Sequence, residues 1–143
     1  MSLHRKLKKF EIRNSECGIK GIDLRENVVV DKSKVFALRI IKLYRYLCDE
    51  KKEFVLSRQL LRSGTSIGAN VKEAIRGQSK PDFYAKMNIA LKEASETEYW
   101  LELLHESGYI DDGGFESIYV DCQEIMKILV SITKTQKIQN ERN

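Results

Sequence analysis

Residues 111–136 read DDGGFESIYVDCQEIMKILVSITKTQ, and this stretch decides the fold. Phe115, Ile118, Cys122, Ile125, Leu129 and Ile132 fall alternately three and four residues apart. That spacing puts them on one stripe of a helix, the pattern of a bundle seam. Asp111 or Asp112 can accept the first free backbone N–H groups and so start the helix. A helix with one apolar stripe is stable only against other elements that cover it.

The preceding residues supply such elements. Ser79-Lys80-Pro81-Asp82 predicts a helix start: serine caps, proline suits the first turn, and Asp82 stands where a capping box places its carboxylate. Phe83, Met87, Ala90, Ala94, Leu101 and Leu104 form the stripe of that helix, and Gly108 ends it. An earlier helix is expected from Phe54 or Ser57 to Arg76, with Leu56, Leu60, Ile67, Val71 and Ala74 on one side and Gly77 following its end. Gly64 and Gly68 lie inside it. Each costs about 1 kcal/mol against alanine, so the pair implies close helix packing or a backbone approached by something else. The first helix is expected from Asp31 or Ser33 to Cys48, with Val35, Leu38, Ile41 and Leu47 as its stripe and Phe36, Ile40, Leu43 and Tyr44 widening it. Four amphipathic segments joined by short loops predict an all-α, antiparallel up-and-down four-helix bundle.

The expected organisation is a basic, partly flexible leader (1–30), a bundle domain (31–136) and a polar tail (137–143). Val28-Val29-Val30 could form a short extended stretch in the leader. The chain has 143 residues, enough for one core without cross-links. It contains one proline, which suits long uninterrupted helices. Cys17, Cys48 and Cys122 are odd in number and lack Cys-x-x-Cys spacing, so they read as reduced thiols. No apolar run reaches the roughly 18 residues of a membrane span, and the basic start (Met1–Phe10) is not followed by a signal-type apolar segment. A cytoplasmic protein is expected.

Charge is unevenly distributed. Residues 1–76 carry 18 Lys/Arg against 9 Asp/Glu, whereas 77–143 carry 7 against 12. Either the first half meets an anionic partner, or basic helices pair with acidic ones within or between subunits. Helical projection sets Arg58, Arg62, Lys72 and Arg76 within about 40° of one line, opposite Leu60 and Ile67. Four cations along about 27 Å of helix can follow a phosphate backbone, the commonest partner of lysine and arginine in nucleic acids. Arg39, Lys42 and Arg45 of the first helix are secondary candidates. The alternative pairs the strip with Glu93, Glu96, Glu98 or Glu102. Gln59, Ser66, Asn70 and Glu73 flank the strip and are expected to bond to the third helix, at Glu96 or Glu98, or to form an interface. Tyr44, Tyr46, Tyr99 and Trp100 could stack on bases, but as residues near the core stripes they are expected to pack.

Catalytic and metal patterns are incomplete. Glu102 and His105 have the Glu-x-x-His spacing of di-iron bundles. A second such pair is missing, because His4 is the only other histidine. Ser131-Ile132-Thr133-Lys134 matches Ser-x-x-Lys but falls inside the heptad helix. No cofactor is expected.

The stretch 57–74, SRQLLRSGTSIGANVKEA, together with ALKEASETE at 90–98, Leu101 and Gly108-Tyr109-Ile110, resembles the 23S rRNA intervening-sequence protein family. Gln59, Arg62, Ser66, Ile67, Asn70, Glu73, Glu96 and Glu98 fall on the family pattern, while Gly68 and Ala74 replace its frequent proline and glycine. The resemblance implies a four-helix bundle without enzymatic activity. Family members are encoded within insertions in 23S rRNA genes, and also elsewhere. It further implies kinship with the accessory protein of diversity-generating retroelements, a pentameric barrel thought to bind nucleic acid and a reverse transcriptase. The expectation is therefore a homo-oligomer that binds nucleic acid, RNA before DNA, through the basic strip. The alternative is a protein–protein scaffold whose charged faces form subunit interfaces.

Overall fold

The computed structural model describes residues 23–143. Among these the elements are all helical: α1 Leu24–Asp49, α2 Leu56–Ile75, α3 Lys80–Glu106 and α4 Asp112–Glu141. Each helix packs on the next in sequence, and α1 closes the ring against α4. Short connections and neighbour packing give the antiparallel up-and-down bundle expected from the heptad stripe.

Three helix starts follow local chemistry. The side chains of Asp23, Ser79 and Asp111 accept from the N–H groups of Arg25, Asp82 and Gly114. The start of α2 is different, because Val55 stands at its N-cap and has no acceptor. Glu53 fills the gap: its carboxylate accepts from the amides of Val55, Leu56 and Ser57 at 3.0, 2.8 and 2.7 Å. At the end of α3, Gly108 adopts φ 86°. Gly108 N–H bonds to His105 O and Tyr109 N–H to Leu104 O, the paired closure of a Schellman end.

The core stripes of α2, α3 and α4 lie where the spacing places them: Leu60, Ile67, Met87, Leu101, Leu104, Ile125 and Leu129 are all fully or almost fully buried. Burying each such side chain contributes about 1.5–3 kcal/mol. The glycines of α2 explain the tight contact with α1. A Cβ on Gly64 would stand 2.8 Å from Ile40 Cγ1, and one on Gly68 would stand 3.3 Å from Ser33 Oγ. Close helix packing is therefore the reason for both.

Helix α1 departs from expectation in two ways. It begins at Leu24, so Val28-Val29-Val30 is helical rather than extended, and Val29 joins the core. Its buried face is Val29, Ser33, Phe36, Ile40 and Leu47. Val35 and Leu38, expected in the stripe, are 58% and 57% exposed. Apolar residues nearly encircle this helix, and the glycine notch of α2 selects the Ile40 side. Helix α4 also runs through the expected tail, to Glu141. The leader before Asp23, with Cys17 and His4, lies outside the described residues.

Candidate nucleic-acid interface

Arg58, Arg62, Lys72 and Arg76 are all exposed on the outer side of α2. Their line follows from the burial of Leu60, Ser63, Ile67, Val71 and Ala74 on the opposite side. None of the four takes part in an ion pair among the described residues, whose pairs involve Arg25, Lys32, Arg39, Lys86 and His105. Thr65, inside the strip, turns its hydroxyl back to Leu61 O at 2.8 Å. Arg58 acts electrostatically on Tyr44, so the strip borders α1.

Two of the glutamates that could have neutralised the strip bond elsewhere. Glu96 accepts from Trp100 Nε1 at 3.1 Å on its own helix. Glu102 accepts from Tyr119 Oη at 2.9 Å, across to α4. Glu98 has its carboxyl pushed up by burial and by Glu102. Burial first raises the pKa values of Tyr119 and Cys122, the bond with Glu102 adds to it at Tyr119, and Glu98 contributes to both, so Glu98 lies toward α4 as well.

The secondary cations divide. Arg39 turns to α4, where it pairs with Asp121 and donates to Ser117 O at 3.2 Å and to Ser117 Oγ at 2.8 Å. Lys42 is exposed at the rim of a groove of about 530 Å³ between α1 and α4, lined also by Leu43, Tyr46, Ile110 and Ile118. Arg45 is exposed near the end of α1. Lys34, not singled out from the sequence, is exposed beside Ser33, where α1 meets Gly68 of the strip helix.

The polar flank behaves differently from expectation. Ser66 Oγ donates to Arg62 O at 2.6 Å, and Asn70 Nδ2 donates to Ser66 O at 2.8 Å, both within α2. Gln59 is exposed. Glu73 alone of the four crosses to α3, through Lys86 at 2.9 Å. The buried polar link between these helices is Ser63 with Thr97, whose hydroxyls lie 2.9 Å apart. Small polar residues back-bond to the preceding turn when no partner faces them.

Glu102 and His105 do not converge on a common point. His105 stacks on Phe115 with ring centroids 4.1 Å apart, and its Nε2 lies 2.7 Å from Asp112 Oδ1. No group of three His, Cys, Asp or Glu side chains placed to hold a metal occurs among the described residues. Ser131 Oγ accepts from Arg25 Nη1 at 2.7 Å, and Lys134 is exposed. No described helix is long and apolar enough to cross a membrane.

Fold and surface together define a four-helix bundle protein with a cationic face on α2. Residues 25–131 match the model of the 23S rRNA-intervening sequence protein family, and the chain belongs to that family. The chain is similar to a crystal structure of a protein with unknown function from the S23 ribosomal protein family of Bacteroides thetaiotaomicron VPI-5482. It is 60% identical, with a TM-score of 0.76 over 77% of this chain and 98% of that one. No curated protein matches the chain.

Proposed function

We propose that this protein is a non-enzymatic accessory protein that binds structured RNA through Arg58, Arg62, Lys72 and Arg76. The observation that carries this reading is that four aligned arginine and lysine side chains stand exposed without an ion pair among the described residues. Surface cations with no internal carboxylate are available to phosphates, and phosphate contacts position a nucleic acid without reading its sequence. Lys34 and Arg45 are further exposed cations of α1, whereas Lys42 and Arg39 line the groove between α1 and α4. The family's name, 23S rRNA-intervening sequence protein, favours RNA over DNA and a cytoplasmic setting.

The protein acts as a homo-oligomer in this reading. Val35, Leu38, Tyr46 and Val120 are large apolar side chains left 43–58% exposed on α1 and α4. Val35 and Tyr46 line grooves between these helices, which supports this side as the subunit interface; Phe54, Val55 and Ile75 are exposed at the two ends of α2. A ring of five subunits is the form proposed for this assembly, by analogy with the accessory protein of diversity-generating retroelements.

Salt dependence tests the phosphate reading. Four phosphate contacts give a slope of about −3 to −4 in log K against log salt. A slope near zero would exclude the strip as the binding element. Light scattering checks the assembly: a monomer mass at micromolar concentration would remove the oligomer.

A further inference from the structure

At the end of the bundle where α2 hands over to α3, a cavity of about 380 Å³ opens between the start of α3 and the end of α4. Its size is that of small-ligand pockets. Arg76, the last cation of the strip, is followed four residues later by Lys80, which lines this cavity. Arg142 lines it from α4. Neither Lys80 nor Arg142 has an ion pair among the described residues, and the described lining side chains carry no carboxylate; Arg25, Asp23 and Glu26 at the start of α1 act electrostatically on Tyr84 from beside it.

The remaining lining has a distinctive chemistry. Tyr84 contributes an aromatic ring, held edge-to-face against Phe83 with centroids 5.2 Å apart and planes at 78°. Gln136, Gln139, Asn140 and Asn143 contribute carboxamides, and Pro81 completes the lining. Each carboxamide presents two N–H donors and one carbonyl acceptor, which matches the mixed donor and acceptor edges of a nucleobase. An aromatic face is the usual platform for an unpaired base. Two cations at the rim match the phosphate attached to it.

We propose that this cavity takes an unpaired nucleotide of the same strand whose phosphates run along α2. The base stacks on Tyr84, the carboxamides of Gln136, Gln139 and Asn140 bond to its edge, and Lys80 and Arg142 meet its phosphate. The proposal rests on the phosphate reading of α2 and adds to it a preference for RNA that ends in, or carries, a single-stranded segment.

The test compares two fluorescent hairpin RNAs with the full-length protein. One hairpin is blunt, and the other carries a short single-stranded tail containing 2-aminopurine. Tighter binding of the tailed RNA, with a change in 2-aminopurine emission, is expected. Tyr84→Ala should remove the tail's advantage, about 5- to 100-fold for one stacked base, and leave the blunt hairpin's affinity unchanged. Tyr84→Phe should keep the advantage. The Gln136→Ala/Gln139→Ala pair lies at the accessible end of α4 and should weaken tailed binding alone, which keeps the test valid if Tyr84→Ala fails to fold. Equal affinity for tailed and blunt RNA, or an advantage that survives both Tyr84→Ala and the glutamine pair, would overturn the pocket while the strip reading stands. Failure of both RNAs to bind at low salt would overturn both.

Discussion

Gly64→Ala tests the packing that aligns α2. Two effects oppose each other. Replacing a helical glycine by alanine stabilises by about 1 kcal/mol through backbone entropy. The new Cβ, however, would stand 2.8, 2.9 and 3.2 Å from Ile40 Cγ1, Cγ2 and Cδ1. Ile40 is fully buried and branched at Cβ, so it has little freedom to move aside. Overpacking of this kind costs about 1–3 kcal/mol, so the clash wins. Gly64→Ala should destabilise by about 1 kcal/mol, a fall in Tm of about 3–5 °C for a chain of this size. Ile40→Ala removes all three clashing carbons. In that background Gly64→Ala should become stabilising by about 1 kcal/mol, because only the backbone gain is left. The double-mutant cycle should therefore give a coupling of about 2 kcal/mol. Urea denaturation of the four proteins at one fixed concentration measures it. Stabilisation by Gly64→Ala in the native background, or the same effect in both backgrounds, would refute the close α1–α2 contact.

Other consequences can be checked in the same way. Burial pushes the Glu53 carboxyl up, but bonds from the amides of Leu56, Ser57 and Val55 and from the Ser57 side chain outweigh it and hold its pKa below the usual value. A lowered folded pKa gives stability that is present above the ordinary glutamate range and is lost as pH falls through the folded pKa. Glu53→Ala should thus cost about 1 kcal/mol at neutral pH and less near pH 3 (thermal melts at both pH values decide it). An undiminished cost at low pH would count against the carboxylate cap. The Cys122 thiol is pushed up to about 12, first by burial and then by Glu98 and Asp121. At pH 8 the native protein should resist alkylation at Cys122 and react faster at the half-buried Cys48, as read by peptide mass mapping. Equal labelling of the two would show that α4 opens readily.

The parts legible in the sequence were those set by local chemistry. The heptad of α4, the Ser79 cap and the Gly108 stop each depend on residues within one or two turns. The cationic line on α2 was legible for the same reason, since helical geometry alone fixes which side chains share a face. The face of α1 was not legible. Apolar residues surround it, and the choice of Ile40 over Leu38 is made by a notch on another helix. Its start was signalled by Asp23 followed three residues later by Glu26, a capping-type spacing. The three successive valines masked that signal with their preference for extended backbone. The polar flank was misread because sequence shows that Ser66 and Asn70 need partners, but not that the preceding turn of α2 supplies them.

The decisive measurement is the affinity for a fluorescent structured RNA of the native protein and of a variant carrying Arg58→Glu, Arg62→Glu, Lys72→Glu and Arg76→Glu. It would be made at low and at moderate salt, with circular dichroism and light scattering on both proteins. Native binding that weakens steeply with salt and is lost in a variant that stays helical and assembled is the expected result. Unchanged RNA binding by the folded variant, or no binding by the native protein at low salt, would contradict the assignment of α2 as the phosphate-binding face.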